Sequence, residues 1–234
     1  MNGTTKLAEG TRATIWATRS PKPTNDVWVE LRTPEETRIA GQVFRLLVRQ
    51  RIPTHYLGQN SPRTFHAHHV TMLPTTITIW RIASERLDGQ HRVRVDPPRI
   101  EHLLKRGEST HALRWTGEGS FEVQGATPDQ ASRREPASLF TEKTGRIMTD
   151  RLHRDIEALA QQTFAALESA WTKEGYVLAR LAVECGWTAD GTLVIADSFG
   201  SPSWSLMTDT PNGLELAELT PGQLVEITDR FAPL

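Results

Sequence analysis

Short runs of alternating apolar and polar residues fill the first half of the chain, which is the pattern of half-buried β-strands. Two such runs, 13–17 and 27–31, flank a turn-forming stretch rich in proline, asparagine and aspartate, so they predict a hairpin. Residues 64–72 and 75–83 form two further runs, and the second is rich in β-branched side chains. Pro74 between them predicts a break, because proline donates no hydrogen bond to a sheet.

Apolar residues recur at helical spacing in two longer segments, 34–51 and 149–173. The second segment carries the longer apolar stripe, and Gly175 marks its end. A last helix is expected to begin near Pro221, with Thr220 as its N-terminal cap. These three segments are the predicted helices of the chain.

Residues 176–185 and 192–196 predict two strands joined by a turn at 189–191. The segment 107–136 is polar, contains glycine and has weak periodicity, so it predicts a long loop. The order of strands, helix, strands, loop, helix, hairpin and helix indicates an α+β fold with antiparallel sheets.

This order also predicts two lobes within one compact unit. A β-rich N-terminal lobe is expected over residues 1–83 and an α+β C-terminal lobe over residues 84–234. A cleft between two β-containing lobes is a natural place for a small ligand. The fold therefore directs the search for a site to the region between the lobes.

The composition is that of a globular protein with balanced charge. Hydrophobic residues make up 38% and charged residues 24% of the 234, which argues against disorder. The 27 basic and 28 acidic residues give a net charge of −1, so DNA and RNA are not expected partners. The single cysteine excludes an intramolecular disulfide, and no apolar run predicts a leader or a membrane span. A cytoplasmic location with no membrane partner is expected.

Two groups of side chains on predicted strands could bind a metal. His66 and His68 face the same side of a strand, where imidazoles can ligate a metal ion, but a solvent-facing polar surface explains the same pattern. Glu184 and Asp197 lie on adjacent predicted strands, where paired carboxylates can hold Mg²⁺ against nucleotide phosphates. Exposed strand-end charges are the alternative for this pair. Cys185 lies on an apolar strand and is expected to be a core residue rather than a nucleophile.

Several segments, taken in order, resemble the SAICAR synthetases, ligases of the purine pathway that join aspartate to an imidazole carboxylate. The similar segments are collinear over nearly the whole chain. They are residues 10–13, the Ile-Pro-Thr-His sequence at 52–55, and residues 67–74, 140–144 and 180–186. The resemblance implies a two-lobed fold in which ATP lies between the lobes and contacts a hinge near Met72.

The resemblance also implies roles for individual residues. The catalytic strand of the family reads Asp-x-Lys-x-Glu, which corresponds here to Arg180, Ala182 and Glu184. The metal-binding aspartate of the family matches Asp197. The implied catalytic set is therefore Arg180, Glu184 and Asp197, and the last two would hold Mg²⁺. The implied nucleotide-binding residues are Arg12, His68 and Met72, and the implied substrate-binding residues are Arg81 and Ser84.

Many of the family's functional residues are replaced. The two lysines that grip ATP phosphates correspond to Thr11 and Ala13, although Arg12 lies between them. Threonine and alanine offer no positive charge to a phosphate. A glutamate and an aspartate later in the family pattern correspond to Ser198 and Ser203. The scaffold is thus retained more fully than the residues that perform the ligase reaction.

This pattern favours an enzyme with altered chemistry over the family's own ligase reaction. The resemblance extends to synthetase-like proteins in the biosynthesis of nucleoside antibiotics of the pentostatin and coformycin type. A purine or imidazole nucleotide is the expected ligand, with ATP and Mg²⁺ as implied cofactors. The alternatives are a non-catalytic pseudoenzyme that assists another pathway enzyme, and a genuine ATP-dependent SAICAR synthetase. Each of these three hypotheses allows a homo-oligomer or a complex with another pathway enzyme.

Overall fold

The computed structural model describes residues 5–10, 13–17, 25–84, 92–106, 109–117, 120–123, 133–136, 138–196, 198–211 and 213–232. Within these ranges the strands form one sheet of five strands and one of nine. The strand pairs of both sheets are antiparallel, and helices pack against the sheets. The predicted α+β fold with antiparallel sheets is therefore confirmed.

The first sheet contains the N-terminal strands in the order β1-β2-β3-β5-β4. These strands are β1 (Lys6–Glu9), β2 (Ala13–Ala17), β3 (Asp26–Leu31), β4 (Tyr56–Gln59) and β5 (Thr64–His68). The predicted hairpin is confirmed, because Ile15 of β2 pairs with Val29 of β3. Alternate residues of β3 are buried, as expected for a strand with one face against a core.

Helix α1 (Pro34–Arg49) covers the buried face of the first sheet. The helix begins where the sequence predicts, because the Thr33 hydroxyl accepts a hydrogen bond from the Glu36 backbone N–H at 3.2 Å. Its apolar stripe places Val43, Phe44 and Leu47 in the core with no exposed surface. Burial of each such side chain is worth about 1.5–3 kcal/mol, which exceeds the contribution of the cap.

The second sheet has the order β10-β9-β8-β7-β6-β11-β13-β14, with β12 also beside β11. Its strands are β6 (Thr71–Ser84), β7 (Arg92–Arg106), β8 (Ser109–Trp115), β9 (Ser120–Val123), β10 (Arg133–Pro136), β11 (Val177–Trp187), β12 (Leu193–Ala196), β13 (Trp204–Thr210) and β14 (Gly213–Leu216). Because β6 occupies one edge of β11, the first half of β11 pairs with β13 and the second half with β12 along the other edge. β11 therefore pairs with three strands.

The remaining helices are α2 (Ser138–Thr144), α3 (Asp150–Lys173) and α4 (Pro221–Asp229). The predictions for α3 and α4 are confirmed, Thr220 is the predicted cap of α4, and Thr149 caps α3. One hydrophobic core contains buried residues from both sheets and from α1, α3 and α4. Among the described helices, none combines the length and the apolar character needed to cross a bilayer.

Two predictions about the strands are wrong. Pro74 does not break a strand but lies within β6, opposite an irregularity where Leu73, Pro74 and Thr75 face Cys185 alone. At such a bulge the missing N–H of proline costs no regular ladder bond. The segment 107–136 is not a long loop, because it supplies β8, β9 and β10. These strands are short and contain few apolar residues, so their apolar periodicity is weak.

The chain passes from the first sheet to the second between His68 and Thr71. The division into lobes at residue 83 stays a prediction, and β6, which begins before that boundary and ends at Ser84, belongs to the second sheet. The Ile-Pro-Thr-His sequence at 52–55, which precedes β4 of the first sheet, is hydrogen-bonded to β12 of the second sheet. The Pro53 carbonyl accepts from the Ile195 N–H at 2.9 Å, and the His55 N–H donates to the Ile195 carbonyl at 3.0 Å.

Cys185 is fully buried, which confirms that it is a core residue. Burial, with a smaller contribution from the charge of Glu184, raises the pKa of its thiol to about 12. We expect native protein not to react with a thiol reagent such as dithionitrobenzoate at about pH 8, and guanidinium-unfolded protein to react with one equivalent. Rapid reaction of the native protein would contradict the buried position.

Candidate functional site

A pocket of about 320 Å³ opens on the face of the second sheet opposite α3. Its walls come from β6, β7, β11, the end of β12 and a short 3₁₀ turn at Ser201–Ser203. On β11 the lining residues are Arg180, Ala182, Val183 and Glu184. Arg180, Ala182 and Glu184 alternate along the strand, so strand periodicity directs all three to the same face.

The pocket carries a charge of each sign at opposite ends. The backbones of Arg180 and Glu184 are about 13 Å apart along the strand. The Thr76 hydroxyl on β6 donates to Glu184 Oε1 at 3.2 Å. The Arg180 guanidinium carbon lies 5.5 Å from the centre of the Trp80 ring. A cation and a carboxylate held apart in this way leave room at Ala182 for a polar ligand between them.

Two buried hydroxyl groups add to the polar character of the pocket. Thr78 Oγ1 and Ser198 Oγ are buried, and neither has a hydrogen-bond partner among the described residues. A buried hydroxyl without a partner costs about 1–3 kcal/mol. A bound polar molecule would remove that cost. By contrast, the Ser203 hydroxyl donates to the Ser198 carbonyl at 3.3 Å and so supports the 3₁₀ turn.

The predicted carboxylate pair is described in part. Asp197 lies outside the described residues, while its neighbours Ala196 and Ser198 both line the pocket. Ala196 also pairs with Glu184 across β11 and β12. An oxygen-donor carboxylate such as Glu184 suits Mg²⁺. The metal-binding and catalytic roles of Glu184, Asp197 and Arg180 stay predictions.

The SAICAR synthetase family model matches residues 33–212 of the chain. This chain belongs to the SAICAR synthetase family. The phosphoribosylaminoimidazole-succinocarboxamide synthase of Herpetosiphon aurantiacus is 29% identical over 177 residues, which cover 74% of this chain and 62% of that protein. The enzyme of the same name from Lacticaseibacillus casei is 27% identical over 238 residues, 92% of this chain and 87% of that one. The chain thus spans less than two thirds of the first of these relatives.

Solved structures of the family share the fold. The synthase of Ehrlichia chaffeensis superposes with a TM-score of 0.67 at 17% identity, over 90% of this chain and 88% of that one. A SAICAR synthetase structure in complex with ADP superposes with a TM-score of 0.62 at 16% identity, over 88% of this chain and 86% of that one. At these identities the likeness concerns the fold alone.

The other residues that family resemblance singles out lie elsewhere or outside the described residues. His68, on β5, lines a separate pocket of about 460 Å³, and its Nδ1 lies 3.0 Å from Asp26 Oδ1. Met72 is partly buried at the start of β6 and pairs with Gly186. Arg12 lies outside the described residues, as does the side chain of Ser84. Of the predicted nucleotide-binding residues that the structure describes, neither His68 nor Met72 lines the pocket of Glu184.

Arg81 packs against α3, while Thr76 and Thr78 of the same strand line the pocket. Its Nε and Nη2 donate to Glu168 Oε1 and Oε2 at 2.5 and 2.8 Å. The hydrogen bond to Glu168 is the main cause of a raised pKa of Arg81. Its guanidinium carbon also lies 5.6 Å from the centre of the Phe164 ring. This position favours a structural role for Arg81, and its substrate-binding role stays a prediction.

His66 and His68 do share one face of β5, as the sequence predicts, and both contact a carboxylate. Asp26 Oδ2 lies 3.6 Å from His66 Nε2, and Asp26 Oδ1 lies 3.0 Å from His68 Nδ1. The carboxylate comes from β3, whose Asp26 pairs directly with His68. Each imidazole lies beside a different oxygen, so the Asp26 carboxylate bridges the two histidines at the end of β5.

Sequence reasoning missed the polar groups that β6 brings to the site. Thr76 and Thr78 alternate with buried isoleucines in a run that predicts a strand. The run shows that the two threonines share a face, but it does not show which strand lies beside them. Pairing of Thr76 with Glu184 is a contact between residues 108 positions apart in sequence, so no local pattern could identify it.

Proposed function

We propose that this protein binds a purine or imidazole nucleotide in the pocket formed by β6 and β11, and that its chemistry differs from the family's amide-forming reaction. The observation that carries the proposal is the row Arg180, Ala182 and Glu184 along one pocket wall. The ends of this row carry charges suited to a nucleotide. Its centre carries a methyl group where the family pattern has lysine.

The pocket's polar groups match the parts of a nucleotide. The Arg180 guanidinium can donate two parallel hydrogen bonds to a phosphate. Glu184, with Thr76 beside it, offers carboxylate oxygens to a ribose hydroxyl or to Mg²⁺. The unpartnered hydroxyls of Thr78 and Ser198 can bond the polar edge of a base or a sugar. The phosphate would thus lie beside the guanidinium of Arg180, and the ribose or Mg²⁺ beside the carboxylate of Glu184.

The missing lysine is what separates the proposed chemistry from the ligase reaction. An ammonium group stabilises charge on a phosphoryl group during transfer, and such electrostatic contributions are large in a shielded pocket. The methyl group of Ala182 supplies no charge. Because Arg180 lies two residues away on the same wall, its guanidinium serves to bind an anionic group at the pocket's end rather than to replace the lysine at its centre.

ATP and Mg²⁺ are proposed as cofactors. One solved member of the family is described as a complex with ADP. Here Glu184 would supply one oxygen ligand to Mg²⁺, and Asp197 would supply the second by family resemblance. When bound, Mg²⁺ would neutralise negative charge on the nucleotide's phosphates. We further propose that the reaction belongs to the biosynthesis of nucleoside natural products, where a retained nucleotide scaffold with altered catalytic groups has a use.

The replaced lysine also supports a second candidate function. A protein that has lost its catalytic cations could keep the fold as a non-catalytic partner of another enzyme of the same pathway, or as part of a homo-oligomer. The names of the curated relatives, in turn, support the genuine synthetase reaction. These candidates differ in two measurable properties, namely nucleotide binding and release of ADP.

Nucleotide binding tests the proposed pocket. We expect ADP, AMP and an aminoimidazole ribonucleotide, titrated by calorimetry with and without Mg²⁺, to include at least one ligand of the wild-type chain. Arg180→Met and Glu184→Gln should each weaken that binding by about tenfold or more, equivalent to about 1.4 kcal/mol. Arg151→Met is the matched control, because the Arg151 side chain is 88% exposed on α3 and lies outside the pocket.

The outcomes separate the candidates. Absence of binding by all three nucleotides would contradict the proposed function, as would equal affinity in wild type, Arg180→Met and Glu184→Gln. Release of ADP from ATP in the presence of aspartate and the carboxylated imidazole ribonucleotide would establish the synthetase reaction instead. Nucleotide binding without turnover of any purine or imidazole substrate would favour the non-catalytic partner.

A further inference from the structure

Two imidazoles and one carboxylate converge on the helix side of the second sheet. The ligand atoms of His102, His153 and Glu157 all lie within 4.8 Å of one another. His102 Nε2 lies 3.3 Å from Glu157 Oε1, and His153 Nδ1 lies 3.8 Å from Glu157 Oε2. Among the residues that the structure describes, no other set of three histidine, cysteine, aspartate or glutamate side chains converges in this way.

The positions of these side chains follow from helix and strand periodicity. His153 and Glu157 are four residues apart on α3, so they share one face of the helix. His102 directly precedes Leu103 on β7, and neighbouring residues of a strand face opposite sides of the sheet. Leu103 lines the pocket that contains Glu184. The cluster therefore lies across the sheet from the proposed nucleotide pocket.

We propose that His102, His153 and Glu157 bind a divalent transition-metal ion, with Zn²⁺ the ion that suits them best. Two histidine nitrogens and one carboxylate oxygen are a common protein donor set for Zn²⁺. Mg²⁺ and Ca²⁺ prefer oxygen ligands throughout, so imidazoles disfavour them. This cluster shares no residue with the Glu184 and Asp197 pair proposed above for Mg²⁺.

The distances suit a tetrahedral ion after a small adjustment. Donor atoms that lie about 2.0–2.1 Å from a tetrahedral Zn²⁺ are about 3.3–3.5 Å from each other. The two separations from Glu157, 3.3 and 3.8 Å, are already near that value. The widest separation, at most 4.8 Å, would have to shorten by up to about 1.4 Å, through rotation of the partly exposed Glu157 side chain and a small turn of the His153 ring against Trp115.

The cluster is open to solvent on the side of Glu157. The side chains of His102 and His153 are 10% and 14% exposed, and that of Glu157 is 31% exposed. An ion can therefore enter past Glu157, where water can complete its coordination. Burial is the main cause of a lowered pKa of His153, and the neighbouring His102 adds to the effect.

Neighbouring rings hold the imidazoles in place. The His102 and His153 rings are stacked with their centres 4.8 Å apart, and the Trp115 ring lies 5.8 Å from His153, nearly parallel to it. Trp115 Nε1 in turn donates to Asp150 Oδ1 at 2.6 Å, at the start of α3. A site whose ligands are already ordered loses little conformational entropy when an ion binds. The bound ion would cross-link the first turns of α3 to β7.

Zinc binding by the full chain tests the proposal. After removal of metal with a chelator, titration with ZnCl₂ by calorimetry should show one equivalent bound, and circular dichroism should show a raised melting temperature. Glu157→Gln, which keeps the shape of the side chain, and His153→Gln should each weaken zinc binding by about tenfold or more. MgCl₂ at the same concentration should neither bind to this cluster nor compete with zinc.

The exposed group of His66, His68 and Asp26 provides the control. His66→Ala removes an imidazole from the other histidine pair, so it should leave zinc affinity and stoichiometry as in the wild type. Loss of zinc binding in His66→Ala would place the ion beside Asp26 and overturn the proposal. Failure of the wild type to bind zinc, or wild-type affinity in both Glu157→Gln and His153→Gln, would overturn it equally. Circular dichroism of each metal-free variant shows that it is folded.

Discussion

Gly186→Ala should lower the free energy of unfolding by about 3 kcal/mol, which is the upper end of the usual cost of overpacking. A methyl group at Gly186 would lie 2.5 Å from the Thr71 carbonyl oxygen and 3.0 Å from Met72 Cα, and it would overlap Val70 Cγ1. Two of these three neighbours are backbone atoms, which cannot rotate away as a flexible side chain can. β11 would therefore have to move away from β6.

At Gly186 the steric clash outweighs the stability that a glycine-to-alanine substitution usually adds. Replacing glycine by alanine stabilises a compatible site by only about 0.4–1 kcal/mol through the unfolded state. Gly222→Ala in the first turn of α4 is the matched control, because a methyl group there has no neighbour within 4 Å. We expect that variant to be unchanged or stabilised by up to about 1 kcal/mol. Denaturant unfolding followed by circular dichroism measures both, and equal effects would contradict the close approach at Gly186.

Gly186→Ala should also disturb the nucleotide pocket. The ladder between β6 and β11 places Glu184 opposite Thr76 and Arg180 opposite Trp80. A displacement of β11 at Gly186 would move Glu184, two residues away, relative to Thr76. We therefore expect nucleotide affinity to fall in Gly186→Ala and to stay unchanged in Gly222→Ala.

Arg81→Met should lower the free energy of unfolding by about 2–3 kcal/mol. The Arg81 and Glu168 side chains are 11% and 21% exposed, and two parallel hydrogen bonds join them. Removing one member of a buried ion pair costs about 3–5 kcal/mol, because the other charge is left without its partner. Partial exposure of Glu168 lets water solvate its carboxylate, which places the expected value below that range.

A second substitution separates the two possible roles of Arg81. Glu168→Leu in the Arg81→Met background should recover part of the lost stability, because an apolar pair leaves no unpaired charge. Arg99→Met is the control, since the Arg99 side chain is 59% exposed on β7 and its loss should cost less than about 0.5 kcal/mol. Wild-type stability of Arg81→Met, together with lost nucleotide affinity, would instead support the substrate-binding role.

The helices show what local sequence can predict. α3 and α4 begin where the sequence indicates, because each is preceded by a threonine whose hydroxyl accepts from a backbone N–H of the first turn. The cap and the apolar stripe are both properties of adjacent residues. The hairpin of β2 and β3 was predictable for the same reason, since its two strands are consecutive in the sequence.

The second sheet shows where local sequence fails. Its outer strands β8, β9 and β10 lie in a segment that predicts a loop, because their apolar residues are few. Leu113, Phe121 and Val123 are nevertheless buried, since α2 and β7 provide surfaces for them to pack against. Pro74 fits within β6 because β6 bulges there, opposite Cys185 of β11. Neither partner surface can be recognised from the segment itself.

In the candidate sites too, local sequence predicts some contacts and only the tertiary structure shows the others. The alternation in 180–186 predicts that Arg180 and Glu184 share one face of a strand, and the structure places both in one pocket. The hydroxyls that complete that pocket come from β6, and Arg81 of the same strand faces α3 instead. The metal cluster combines a visible pair, His153 and Glu157 at helical spacing, with a distant histidine of β7.

By itself the sequence determined α1, α3, α4 and the cap of α4, the two hairpins, the family and the faces on which Arg180, Glu184 and His66 lie, but it did not predict α2. These depend on hydrogen bonds and side-chain directions that repeat over a few residues. The tertiary structure alone decided that Asp26 joins the histidines of β5, that Arg81 binds Glu168, and that His102 meets α3. Those contacts join residues far apart in the chain, and they form only because burial of one hydrophobic core brings both sheets and α3 together.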